Sequence, residues 1–73
     1  MNWTTLSPAI REVADEPGVL TKRQREMLLY ADAGYSDRRI SRLCHLNRST
    51  VREHRERGLD RLEKAIHERE LAA

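Results

Sequence analysis

The sequence is poor in the residues that build large hydrophobic cores. It contains no Phe, one Trp and two Tyr, and 38% of its 73 residues are hydrophobic. Fully burying one large apolar side chain contributes about 1.5–3 kcal/mol, whereas ordering each residue of the chain costs about 1.5 kcal/mol. The length therefore allows one small domain, over residues 1–73, whose thin core a partner or DNA would help to complete.

The single cysteine and the lack of long apolar runs indicate in which cellular compartment the protein acts. Cys44 has no second cysteine with which to form an internal disulfide, as is usual in a reducing environment. No apolar run approaches the roughly 20 residues that span a bilayer. The first residues also lack the basic and then apolar order of a signal peptide. We therefore expect a cytoplasmic protein that does not act at a membrane.

Residue types that serve metal binding and catalysis occur without the spacing that these functions need. The three histidines and Cys44 do not have zinc-finger spacing. Cys44 falls on the inward side of a predicted helix, which is typical of a small buried residue. Glu53 and Glu56 share an exposed helix face, where no pocket is expected to enclose a substrate. The sequence predicts no enzyme, no cofactor and no metal site.

Positive charge is concentrated in the middle of the chain. The net charge is only +2, but residues 20–58 hold ten basic and five acidic side chains, and nine of the ten are Arg. The planar fork of donors in Arg suits phosphates and guanine edges better than the point charge of Lys does. This segment therefore favours nucleic-acid binding, with an ordinary solvated surface as the alternative.

Capping signals delimit two helices in the first half of the chain. Ser7-Pro8 is a typical helix start, because Ser accepts a hydrogen bond from a free amide and Pro has no amide to satisfy. Pro17-Gly18 ends this helix, which is predicted over about residues 8–15. The segment Thr21–Gln24 has the spacing of a capping box, and Gly34 ends the second helix that it opens.

Two further helices form the predicted functional motif. Ser36 caps a third helix that ends near Cys44, and Asn47 caps a fourth that no Pro interrupts. A turn of three or four residues sets the fourth helix across the third, so that it can enter the major groove of DNA. The predicted fold is an all-α, four-helix domain with a helix-turn-helix at about residues 36–58 and a long C-terminal recognition helix. The predicted inward residues are Ile40, Leu43, Cys44, Leu46 and Val51.

The start of the fourth helix carries a polar outward face. With Val51 inward, a rotation of about 100° per residue turns its polar neighbours outward. Arg48 or Arg52 would bind guanine through two hydrogen bonds, and Glu53 would accept one from cytosine, each discriminating by about 1–3 kcal/mol. The predicted base-reading residues are Arg48, Ser49, Arg52, Glu53 and Glu56. The predicted phosphate contacts, which position without specifying, are Lys22, Arg23, Arg38, Arg39, Asn47, Thr50 and Arg57.

An apolar stripe continues along the second half of the same helix. Leu59, Leu62 and Ile66 recur at helical spacing. They form either part of the core against the first helix or the seam of a homodimer. Gly58 precedes the stripe and costs about 1 kcal/mol relative to Ala. It is either a tolerated helix glycine or a point where another helix packs closely.

The predicted motif is similar to two known families. The helix-turn-helix of LuxR-type regulators resembles the stretch LTKRQREMLLYADAGYSDRRISRLCHLNRSTVREH, from Leu20 to His54. The end of sigma-factor region 4 resembles LNRSTVREHRERGLDRL, from Leu46 to Leu62, with its basic Leu-x-x-Leu turn. The features shared with the LuxR type are the opening LT-x-R-x-RE, Gly34, Ile40, Thr50-Val51 and His54.

Both resemblances imply a bacterial or phage transcription regulator that binds duplex DNA. LuxR-type domains normally break after the recognition helix and add a dimerisation helix. The unbroken stretch Leu59–Glu70 therefore favours region 4. The chain departs from both families at His45, where Gly is usual, and at Ser41, where Ala is usual. By resemblance to region 4, the positions that read the promoter −35 element are Arg48, Ser49, Arg52 and Glu53.

A second class of function follows from the same resemblance. Region-4 domains also dock on RNA polymerase, so the chain could be a protein-binding adaptor with weak or no affinity for DNA. The acidic first helix, with Glu12, Asp15 and Glu16, would then be a natural contact surface.

Overall fold

The computed structural model describes residues 7–72, with side chains through residue 70, and these residues form four helices and no strand. The helices are α1 (Pro8–Asp15), α2 (Lys22–Asp32), α3 (Asp37–Cys44) and α4 (Arg48–Ala72). The predicted all-α, four-helix fold with a long last helix is confirmed. Its extent over 1–73 stays a prediction, since residues 1–6 and 73 lie outside the described part. Within that part, no helix is long and apolar enough to cross a bilayer.

The first three helices begin at the predicted caps. The hydroxyl of Ser7 accepts from the amide three residues on, at 3.3 Å, and the hydroxyl of Ser36 does the same at 3.2 Å. Thr21 and Gln24 make both hydrogen bonds of a capping box, each at 3.1 Å. Each bond satisfies an amide that the helix leaves without a partner. Local sequence therefore determines where these helices start.

Two apolar clusters are built on α4. One lies between α1, α2 and the second half of α4, and the other between α2, α3 and its first half. With 25 residues, α4 is about 37 Å long and supports both. The buried members are Val13, Ala14, Leu28 and Leu62 in the first cluster and Met27, Ile40 and Val51 in the second.

The prediction that Leu43 of α3 faces inward is wrong. Leu43 is 51% exposed, whereas Ile40 is fully buried and Cys44 packs against the second cluster. Helical periodicity places residues three and four positions after Ile40 on opposite flanks of the same inward side. The crossing of α3 over α4 buries the flank of Cys44 and leaves that of Leu43 in solvent.

The helix α2 crosses α4 at Gly58, which is buried. A Cβ atom at this position would lie 3.0 Å from Cβ of Gln24 and 3.2 Å from Cδ1 of Leu28. Gly58 is therefore a point of close helix packing. The amide group of Gln24 contributes to the same crossing, because its Oε1 accepts a hydrogen bond from Nη1 of Arg61 at 3.4 Å.

His45 forms the turn between α3 and α4 in a left-handed conformation, with φ 55° and ψ 43°. Apart from glycines, it is the one described residue with positive φ. The amides of His45 and Leu46 both donate to the carbonyl of Ser41 and so end α3. The turn thus keeps the geometry that Gly usually supplies, at a strain of about 1–2 kcal/mol.

We expect His45→Gly to stabilise the domain. Relief of the left-handed strain, about 1–2 kcal/mol, outweighs the added backbone entropy of the unfolded chain, about 0.5–1 kcal/mol. The free energy of unfolding should rise by about 0.5–1 kcal/mol in urea denaturation. The matched control His67→Gly, on the exposed side of α4, should lower it by about 0.3–0.5 kcal/mol, the difference between the helix propensities of His and Gly. A loss of stability in His45→Gly would mean that the imidazole makes contacts worth more than the strain.

Candidate nucleic-acid interface

The first half of α4 turns a polar surface toward solvent. Val51 is fully buried against α2 and α3, so the polar residues around it face outward. This is the part of a helix-turn-helix that enters the major groove. All five predicted base-reading residues are exposed, namely Arg48, Ser49, Arg52, Glu53 and Glu56.

Glu53 and Arg57 form an ion pair on this surface. Nη2 of Arg57 lies 2.8 Å from Oε1 of Glu53, and both side chains are more than half exposed. Exposed pairs of this spacing contribute about 0.3–0.5 kcal/mol. Either partner can therefore exchange the other for a base or a phosphate at little cost. The pair also offsets the repulsion that the Glu53 carboxylate would exert on DNA.

The predicted phosphate contacts at the start of α2 lie on a different helix from this surface. Arg23 pairs with Glu26 at 3.3 Å, and Lys22 lies beside it on an exposed turn. Gln24 packs at Gly58 and accepts from Arg61, so this end of α2 lies beside the middle of α4. In the part of the chain that the structure describes, no ion pair or hydrogen bond joins Lys22 or Arg23 to the base-reading residues.

The phosphate contacts predicted on α3 and at the turn lie nearer to the start of α4. Arg38 and Arg39 are exposed, as is Asn47, while Thr50 is half-buried. The guanidinium of Arg39 lies over the ring of Tyr35, 4.2 Å from its centroid. Stacking of this kind orients a guanidinium and leaves its N–H edges free to bind a phosphate.

Arg42 is a basic residue of α3 outside the set of predicted phosphate contacts. It is exposed and lies one turn after Arg38, and both are opposite the fully buried Ile40. Neither has an ion pair within the described residues. The spacing of four residues was the signal that would have grouped them.

Asp37 joins the two helices of the motif. Its Oδ2 accepts a hydrogen bond from Nη2 of Arg55 at 3.0 Å and lies 3.9 Å from Nε of Arg52. The side chains of Asp37 and Arg55 are 18% and 33% exposed, so water weakens this pair less than it weakens a surface pair. Arg55, which is not among the predicted site residues, thus fastens α4 to α3. Its position one turn after Val51 is one that periodicity alone assigns to an apolar residue.

The acidic side chains around α1 are mostly engaged within the molecule. Oδ1 of Asp15 lies 2.7 Å from Nη2 of Arg25, and Glu16 pairs with Arg69. Glu12 alone of the three has no ion pair within the described residues. Both pairs are about half exposed, so they contribute little to stability, but they partly neutralise the acidic surface of α1.

The apolar stripe of α4 lies beneath α1. Leu62 is fully buried with Val13 and Ala14, and Ile66 packs against the same cluster. Leu59, one turn earlier, is half-buried. The helix α1 thus occupies the side of α4 that would otherwise be open to a second copy of the chain.

The chain matches one protein family over most of its length. Residues 18–72 match the family described as bacterial regulatory proteins, luxR family. The chain belongs to this family. No curated protein and no solved structure matches significantly. LuxR-family helix-turn-helix domains bind DNA, so the membership identifies the chain as a DNA-binding regulatory domain.

The match also bears on the two resemblances found in the sequence. It covers the segment after residue 58, on which the preference for sigma region 4 rested, and it supports the LuxR type instead. The unbroken α4, from Arg48 to Ala72, is a feature of this LuxR-family domain and not a mark of region 4. The helix α1 lies outside the matched residues.

We expect Arg55→Met to destabilise this LuxR-family domain. Met keeps apolar volume but removes the close partner of a largely buried carboxylate, which costs about 1–3 kcal/mol. Urea denaturation measures the loss. The control Arg57→Met breaks an exposed pair and should change stability by less than about 0.5 kcal/mol. Equal stabilities of the two variants would show that the pair between Asp37 and Arg55 does not fasten α4.

Proposed function

We propose that this domain is a sequence-specific regulator of transcription that reads the major groove of duplex DNA with the first turns of α4. The observation that carries the proposal is the exposed polar surface from Arg48 to Arg57, held outward by the buried Val51. The family supplies the nucleic-acid partner. Because bacterial DNA lies in the cytoplasm, that is the proposed site of action.

Base and phosphate contacts divide between the two helices of the motif. Arg48 and Arg52 are suited to guanine, and Glu53 to a cytosine amino group, with Ser49 and Glu56 beside them. The first helix of such a motif crosses the DNA backbone, so the exposed arginines of α3 are suited to phosphates. That group consists of Arg38, Arg39 and Arg42.

The alternative of a polymerase-docking adaptor has less support. It rested on the resemblance to sigma region 4, whereas the family that matches is the LuxR family. Two of its three acidic residues, Asp15 and Glu16, are also paired with Arg25 and Arg69. A homodimer through α4 has less support for a similar reason, because α1 covers Leu62. We therefore infer that DNA is the primary partner and that one domain occupies one stretch of groove.

Binding to random-sequence duplex DNA over a salt series tests the proposed function. The logarithm of the binding constant should fall linearly with the logarithm of salt concentration, with a slope of about −0.9 per phosphate contacted. Fluorescence anisotropy measures the binding, and selection of bound sequences should enrich one motif. A folded protein that does not bind at low salt would refute DNA binding and favour the adaptor.

We expect substitutions on the two helices to have different effects on specificity. Arg52→Ala should lose about 1–3 kcal/mol of discrimination at one base pair of the selected motif. Arg38→Ala should weaken binding to all sequences alike and reduce the salt slope by about 1. Competition between the selected duplex and its single-base variants measures both effects. An unchanged base preference in Arg52→Ala would remove Arg52 from the base-reading set.

A further inference from the structure

We propose that Asp37 is a positioning residue for base recognition, and this rests on the proposed function. Its carboxylate, on α3, orients the side chain of Arg52 on α4 before DNA binds. Asp37 would thereby help to determine which base Arg52 selects, without touching the DNA itself.

The Asp37 carboxylate lies near Nε of Arg52, which leaves the terminal edge of the Arg52 guanidinium free. Oδ2 lies 3.9 Å from Nε of Arg52, and within the described residues this is the one ion pair that Arg52 makes. The two terminal Nη groups are then the edge left to face outward. That edge can donate two parallel hydrogen bonds to O6 and N7 of guanine.

Glu56 lies one turn further along α4, but Arg before Glu at this spacing is the weaker order for a helical ion pair. Glu53 and Arg57 have the favourable order and pair at 2.8 Å. Arg52 instead approaches a carboxylate on another helix. Its side chain is 65% exposed, so packing alone does not hold it. Restricting such a side chain in its binding conformation is preorganisation, which improves selectivity for the correct base.

Asp37 itself is fixed more firmly than the arginine it orients. Its side chain is 18% exposed, and Arg55 binds the same Oδ2 at 3.0 Å. Its position in the first turn of α3, after the cap Ser36, also lies at the positive end of the helix dipole. The other oxygen, Oδ1, is buried without a hydrogen-bond partner in the described residues. Stability is lost at such an atom, and residues retained at this kind of cost are typical of functional sites.

Asp37→Asn tests the inference with little change in shape. Arg52→Ala first identifies the base pair that Arg52 reads. At that base pair, Asp37→Asn should reduce discrimination by about three- to tenfold and leave the other positions within about twofold. The control Asp15→Asn removes an equal charge from a pair with Arg25, away from the base-reading surface, and should keep full discrimination.

A double-mutant cycle separates positioning from a merely structural role. In the Arg52→Ala background, Asp37→Asn should change base preference no further. Loss of the pair with Arg55 lowers the melting temperature under either role, but a merely structural role would weaken discrimination at every base pair in proportion. Unchanged discrimination at the Arg52 base pair, in an Asp37→Asn variant that is folded, would overturn the inference.

A measurement on the wild type keeps the inference falsifiable if Asp37→Asn does not fold. Nitrogen-15 relaxation of the arginine Nε–Hε groups in the free protein should show Arg52 more restricted than Arg11, which is exposed and has no ion pair within the described residues. Equal mobility of the two groups would overturn the inference. A wild type that shows no salt-dependent DNA binding would refute the proposed function. Selective binding with unchanged base preference in Asp37→Asn would overturn the role of Asp37 alone.

Discussion

The fold depends on burying one side of a single long helix in two separate apolar clusters. The first half of α4 inserts Val51 between α2 and α3, and the second half inserts Leu62 between α1 and α2. A chain with so few large apolar residues gains more from one shared helix than from separate cores. The two clusters therefore hold α4 at Val51 and at Leu62, and α2 approaches it closely at Gly58, between these two points.

Much of the basic charge serves this assembly and not the interface. Arg25, Arg55 and Arg69 each pair with an acidic residue of another segment, and Arg61 donates to the carbonyl of Gly18 at 3.1 Å. Arg has the reach and the planar donors to tie helices together at their edges. Two of these four, Arg25 and Arg55, belong to the basic segment of residues 20–58, so that segment has less charge free to meet phosphates than its composition indicates.

The helix α1 gives this LuxR-family domain a particular shape. It precedes the residues that match the family and packs Val13 and Ala14 on the stripe of α4. At its end, Asp15 and Glu16 form half-exposed ion pairs with Arg25 and Arg69. An apolar stripe that is covered from within the chain does not drive association with another copy. The unbroken α4 thus depends on α1, because the apolar stripe along a continuous helix needs another helix to pack against it.

The sequence by itself determined the helix starts, the fold class and the helix-turn-helix. The helix starts depend on contacts within three or four residues, as at Ser7, Thr21 and Ser36. Only the tertiary structure decided that Leu43 is exposed, that Gly58 is a crossing point and that Arg55 faces inward. Helical periodicity defines a face but not which neighbour covers it or at what angle. The pairing of Asp37 with Arg52 and Arg55 across 15 to 18 residues likewise depends on how α3 crosses α4.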